Sequence, residues 1–369
     1  MYLSEISNQG FRNLSPDAVP LGEGVTLITG ENAQGKTNLI EAAALVCGQR
    51  SFRGASPAAM AKDGERFTVT AELSCRTGSE RVTIAWSKET GREFWRAGKS
   101  AGFREVSEMA PAVFLAPEHA ELLTGSPSGR RRFLDRLVLG VKPAAGDDLS
   151  RYARALSERN ALLAKVRRHS AASGAPGELE AWTEELILSG AAVRRHRKAA
   201  LTEWEQDFSV LAKQAGTAYA SIRAVCSVED ASAESLRAEL SRVAGLELRR
   251  GHTLAGPHRD DLLWLRNGRS LAVQASAGEV ARAVALIKLA EWHAVARRAG
   301  EPPLFAADDF DAHLAEGWVE DFFDALPARA SVLLTTAAPP SRWAARVAAV
   351  LEVREGFVSR PRVLRAVKA

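Results

Sequence analysis

The run Gly30-Glu31-Asn32-Ala33-Gln34-Gly35-Lys36-Thr37 fits the spacing G-x-x-x-x-G-K-[ST], a pattern suited to holding a polyphosphate. The backbone N–H groups of such a loop turn inward, and the positive end of the following helix sits behind them. Lys36 is then placed to neutralise the β- and γ-phosphate oxygens. The Thr37 hydroxyl is placed to take one position on Mg²⁺. With Asn38, which opens the next helix, residues 30–38 are the candidates for contact with the nucleotide. The loop says nucleoside triphosphate and leaves its use open.

Three later segments bear on that use. Leu304-Phe305-Ala306-Ala307 reads as an apolar strand ending in Asp308-Asp309. Ligands of open α/β sheets lie beyond the carboxyl ends of strands, so both acids are expected to point at the phosphates. Asp308 is the candidate Mg²⁺ ligand and Asp309 the candidate for aligning or deprotonating the attacking water. Ser276-Ala277-Gly278-Glu279 opens a long helical run. It spells a capping box, and Gly278 would also let an anion approach the helix amides closely. Either reading fits the residues alone. Ser276 is carried forward with Lys36 and Asp309 as a catalytic candidate, and Ser276 and Gly278 as nucleotide contacts. The strand Leu333-Leu334-Thr335-Thr336 brings hydroxyls to a position that can sense a γ-phosphate.

These segments need a scaffold. Val25-Thr26-Leu27-Ile28 reads as a buried strand before the loop, and Asn38 to Ala43 as a helix after it. Short β-type runs fill the chain to about residue 125. From about 130, helical spacing takes over: Leu149, Tyr152, Leu156, Leu163 and Val166 share one face, and Leu201, Trp204, Phe208 and Leu211 another. Residues 169–177 read as a flexible connection, and no heptad pattern persists. The β-type runs return after about 250. The order predicts an α/β nucleotide-binding core (1–128 and 295–369) interrupted by a mostly helical lobe (129–294) that ends in the Ser276 segment.

Composition narrows the class further. Hydrophobic residues make up 46% of the 369, ample for packed cores. No apolar run approaches the roughly 20 residues that span a bilayer, and the first residues lack the layout of a secretory signal. Three widely spaced cysteines suit reduced thiols, so a cytoplasmic protein is expected. The net charge is only +4, but basic residues cluster at 130–132, 194–198 and 249–250 and in a tail at 360–368. Arg130, Arg131, Arg132, Arg194 and Arg195 are therefore candidates for tracking a phosphodiester backbone, unless they line solvated helix faces.

Phe11-Arg12-Asn13-Leu14 ahead of the loop resembles the start of RecF and SMC-type ATPases. Ser51-Phe52-Arg53, Pro117-Glu118, Gly125-Ser126-Pro127, Arg131-Arg132-Phe133-Leu134-Asp135 and Arg159-Asn160-Ala161-Leu162-Leu163 are similar to the RecF family in particular. So is Gly256-Pro257-His258-Arg259-Asp260-Asp261. The resemblance runs in order through nearly the whole chain. It implies an ABC-type P-loop ATPase core without a long coiled coil, dimerising on ATP and Mg²⁺. It also implies DNA binding, at double-strand/single-strand junctions above all, with slow, DNA-stimulated hydrolysis. The partners implied are RecR and RecO, and through them RecA and single-strand-binding protein. Arg53 becomes a candidate for coupling DNA to the nucleotide site.

The chain departs from the family pattern in places. Ala33 and Ala275 stand where glycine and leucine are usual, and Glu279 where many members carry glutamine. Ala312-His313-Leu314-Ala315 replaces S-E-L-D. A P-loop kinase would leave Ser276–Glu279 and the basic clusters without a role. A transporter ATPase would carry glutamate at 309. A scaffold that binds ATP without turnover remains compatible with the altered segment at 312–315.

Overall fold

The computed structural model describes residues 1–75, 78–169, 176–310, 316–326, 330–337, 343 and 346–360. The chain forms two units, one from 1–120 and 275–369, the other from 121–274.

The first unit holds two six-stranded sheets. One is antiparallel, in the order Val19–Pro20, Tyr2–Gln9, Arg66–Cys75, Gly78–Ser87, Gly91–Arg96, Lys99–Ala101. The other runs Phe357–Ser359, Ala349–Arg354, Gly24–Thr29, Ser331–Thr336, Leu304–Ala307, Ala112–Leu115, parallel except for the hairpin at 349–359. Its central strands are buried on both faces, as expected of a parallel sheet covered on both sides. The helix Lys36–Val46 buries Leu39, Ile40 and Ala42–Val46 in a core shared with Ile6, Phe67 and Ile84 of the antiparallel sheet and Ile28 and Leu333 of the parallel one. The phosphate-loop helix is thus wedged between two sheets, which fixes its position. Phe11 and Phe67 meet edge to face, and Phe67 stacks on Trp86.

The second unit is mainly helical. Helices Pro127–Val141, Gly146–His169, Pro176–Gln214 and Ala233–Arg250 pack with a three-stranded antiparallel sheet, Arg269–Ser270, Leu262–Arg266, Ile222–Cys226. Tyr152, Leu163, Leu201, Trp204, Phe208 and Leu211 are all buried. Trp204 lies among Phe133, Phe208 and Trp264. The 39-residue helix Pro176–Gln214 folds against Gly146–His169 within the lobe, so its length does not make an extended coiled coil. Most of the connection expected at 169–177 falls outside the described residues.

The divisions expected after 128 and after 294 fall instead after 120 and 274. The helix Ala277–Ala299 is the reason. Its apolar residues Val280, Val284 and Ile287 are buried, and it packs on the strand Ala112–Leu115. It therefore belongs to the sheet unit and not to the helical lobe. Helical periodicity announces an amphipathic face but not the surface that face will cover.

Candidate nucleotide-binding site

The loop at 30–35 leaves the carboxyl end of the strand Gly24–Thr29 and enters the helix at Lys36. Gly30, at φ 146°, leaves no room for a side chain, since a Cβ there would lie 2.3 Å from the Val353 carbonyl oxygen. Gly35 stands at the N-cap with φ 120°. No side chain caps this helix, and its first turn carries no acid. Its leading N–H groups are thus available to an anion. Lys36 is 4% exposed, and its ammonium donates to the carbonyls of Gly30 at 2.7 Å and Glu31 at 3.0 Å. Glu31, Asn32 and Ala33 form the exposed rim.

Two neighbouring turns brace the loop. Asn13 Nδ2 donates to the Gln34 carbonyl at 3.2 Å, and Asn38 Nδ2 donates to Asn13 Oδ1 at 2.7 Å. From the other side the hairpin turn Glu355-Gly356 donates its amides to Gln34, to Oε1 at 2.6 Å and to the carbonyl at 2.8 Å. Both turn residues have positive φ, as a two-residue type I′ hairpin requires.

Thr37 and Asp308 meet. The threonine hydroxyl lies 3.0 and 2.8 Å from the two carboxylate oxygens. Thr335 donates to Asp308 Oδ1 at 2.7 Å, so its hydroxyl is committed to a carboxylate. This differs from the expectation that the strand end senses a γ-phosphate directly. Burial pushes the Asp308 carboxyl up, and the charges of Asp309 and Glu118 push the same way, against the hydrogen bonds from Thr335 and Thr37. The protein alone does not fully compensate that charge, which suits a cation. A hydroxyl and a carboxylate side by side form a fitting donor pair for Mg²⁺, an ion that takes few protein ligands and completes its shell with phosphate and water. Asp309, the next residue, is exposed.

Ser276 and Glu279 form a reciprocal capping box, with Ser276 N–H donating to Glu279 Oε2 at 2.9 Å and Glu279 N–H to Ser276 Oγ at 3.3 Å. The capping box is therefore present, and Ser276, Ala277 and Gly278 are exposed. Among the described residues, none of these three hydrogen-bonds to residues 30–38. The helix they open packs on Ala112–Leu115, three strand spacings from the phosphate-loop strand, or about 14 Å.

The pattern of the family described as AAA domain matches residues 5–125. A relative from Deinococcus radiodurans called "DNA replication and repair protein RecF" is 35% identical over 85% of this chain and 84% of its own. The chain belongs to the RecF family. A RecF from Geobacillus kaustophilus is 28% identical, covering 98% of this chain and 100% of its own. Among solved structures, that of "the recombination mediator protein RecF-ATP in RecFOR pathway" matches with a TM-score of 0.87 and 26% identity over 97% of both chains. A head domain of Smc, solved with the C-winged helix domain of ScpA, matches at 0.53 and 15% identity over 97% of this chain and 96% of its own, a likeness of fold. The fold is thus that of an ABC/SMC-type ATPase head.

Several motifs that carried the RecF resemblance prove architectural. In the second unit Asp261 takes a bidentate contact from Arg130 at 2.8 and 2.9 Å, and Asp260 one from Arg194 at 2.9 and 2.8 Å. Tyr152 and His258 share a hydrogen bond of 2.6 Å, and Arg159 pairs with fully buried Glu247 at 2.7 Å. Arg194 must therefore be withdrawn as a DNA contact: it is 5% exposed and also chelated by Glu239 at 2.8 and 2.9 Å. Arg197 of the same cluster is buried too, on Asp135. Arg130 is engaged by Asp261, and Arg131 donates to the Asp260 carbonyl. Arg132, Arg195 and Arg53 are exposed. A run of adjacent basic residues on a helix points around the axis, so only part of it can face outward.

Glu41 gave no signal in the sequence. It is fully buried on the phosphate-loop helix, paired with Arg12 at 2.9 and 3.2 Å and hydrogen-bonded by Ser51. The F-R-N-L and S-F-R segments thus meet on one carboxylate. Arg53 continues the link by donating to Asn38 Oδ1 at 3.2 Å. Glu118, exposed after the strand Ala112–Leu115, was also missed as a charge acting on Asp308. Residues 312–315 and the basic tail beyond Arg360 lie outside the described residues.

Ala33 has φ 66°, the left-handed region in which an L-residue is strained. Ala33→Gly should raise the unfolding free energy by about 0.5–1 kcal/mol, read as a higher denaturant midpoint without nucleotide. A lower midpoint would show that the loop carries no strain there.

Proposed function

We propose that this chain is an ATP-dependent DNA clamp of recombinational gap repair. The observation that carries the reading is the uncapped helix behind Gly30–Gly35, with Lys36, Thr37 and Asp308 converging on its entrance. ATP binds with its phosphates on the loop amides and on Lys36, in exchange for the carbonyls that Lys36 now contacts. Thr37 and Asp308 hold Mg²⁺, which supplies positive charge against the phosphates. Asp309 orients the attacking water and takes its proton.

Ser276 and Gly278 complete the site from a second copy. What supports this is their exposure together with the lateral separation of the helix they open from the phosphate loop. A helix N-terminus facing an anion contributes about 0.3–1 kcal/mol when exposed and about 2 when partly buried. A micromolar dimer corresponds to about 8 kcal/mol, so side-chain contacts around the triphosphate must supply most of it. ATP is then the adhesive of the dimer, and slow hydrolysis releases it.

Arg53, Arg132 and Arg195 are the candidates for contact with backbone phosphates of DNA at a double-strand/single-strand junction, with little reading of bases. Arg53, tied to Asn38, relays DNA contact to the nucleotide. RecO and RecR act as partners in delivering RecA, as the family relationship suggests, in a cytoplasmic setting; among the described residues no helix is long and apolar enough to cross a membrane. Burial pushes the Cys47 thiol up to about 12, which leaves that cysteine unreactive.

Sedimentation with and without ATP, combined with ATP turnover with and without gapped DNA, tests the reading. Monomers should become dimers with ATP, and DNA should accelerate turnover. Turnover by a species that stays monomeric, indifferent to DNA, would point to a kinase-like or self-contained site instead.

A further inference from the structure

One hydroxyl touches both acids of the site. Thr335 Oγ1 donates to Asp308 Oδ1 and accepts the backbone N–H of Asp309, each at 2.7 Å. The Thr335 carbonyl also accepts the N–H of Phe310 at 3.0 Å. Thr335 is fully buried near the end of Ser331–Thr336, beside the strand that delivers the aspartates. A single residue therefore grips the chain at 308, 309 and 310.

The grip has something to hold. Asp309 has φ 45°, a region that L-residues occupy only when surrounding contacts keep them there. That backbone sets the direction in which the Asp309 side chain leaves the strand end. Among the described residues no hydrogen bond reaches the Asp309 carboxylate itself, so its aim depends on the peptide behind it.

We infer that Thr335 is a positioning residue: its hydroxyl fixes the Asp309 peptide in the left-handed conformation and so aims the Asp309 carboxylate at the attacking water. This rests on the reading of the site as one that hydrolyses ATP. Thr335 is fully buried with its hydroxyl turned to the two acids, so binding should be spared where turnover is not.

Thr335→Val keeps the shape and removes the hydroxyl, whereas Thr335→Ser keeps the hydroxyl. Three measurements separate the possibilities: hydrogen exchange at the Asp309 amide without nucleotide, ATP affinity, and ATP turnover. In the valine variant, exchange should quicken about tenfold or more and turnover fall by about thirtyfold or more, with affinity within about threefold of the parent. The serine variant should stay within about twofold of the parent in all three. Unchanged exchange in the valine variant, or a serine variant as impaired as the valine one, overturns the inference. If the valine variant does not fold, the serine variant decides: retained turnover supports the hydroxyl's role, and lost turnover refutes it. A parent protein that binds ATP without hydrolysing it would overturn the hydrolysis reading, while the exchange data would still decide whether Thr335 holds the peptide.

Discussion

Lys36→Ala should weaken ATP binding about a hundredfold or more, because removing one member of a buried, hydrogen-bonded charge contact costs about 2–5 kcal/mol. Lys36 is 4% exposed and its ammonium sits within hydrogen-bonding reach of two loop carbonyls, so little reorganisation separates its present partners from a phosphate. Lys36→Met controls for lost volume and should behave like alanine. Titration of a fluorescent ATP analogue reads both. If either variant binds as tightly as the parent, the loop is not the phosphate cradle. Thermal unfolding without nucleotide separates this from a collapse of the loop.

Ser276→Arg should abolish ATP-induced dimerisation while leaving ATP affinity within a fewfold of the parent. Two effects are combined in this substitution. Losing the capping box costs the helix Ala277–Ala299 about 1 kcal/mol, and the arginine places bulk and charge on an exposed surface. Ser276→Ala loses the cap alone and leaves that surface open, so it should retain most of the dimer. Analytical ultracentrifugation with ATP distinguishes them. A Ser276→Arg protein that still dimerises would place the partner's contacts elsewhere and remove the case for a site shared between copies. The substituted residue belongs to the same unit as the phosphate loop, so loss of ATP binding by the monomer would point to misfolding of that unit.

The candidate phosphate site was legible early because its residues are local. Gly30, Gly35, Lys36 and Thr37 lie within eight residues, and loop, helix start and strand follow from their types. Asp308 could be paired with Thr37 from sequence because an apolar strand ending in acids has one obvious place in such a sheet. The basic clusters were less legible. Adjacent arginines look alike in a sequence, yet Arg194 is sealed between Glu239 and Asp260 while Arg195 next to it faces outward. The phase of a helix against its neighbours sets that difference.

By itself the sequence determined a triphosphate loop, the acids that answer it, a helical insertion and the family to which these belong, because each depends on residue type and short spacing. Only the tertiary structure decided that the Ser276 helix joins the sheet unit and that Glu41 gathers Arg12 and Ser51. It likewise revealed that Thr335 grips Asp308 and Asp309. Those relations span tens to hundreds of residues of chain, and they exist only once buried polar groups must find partners.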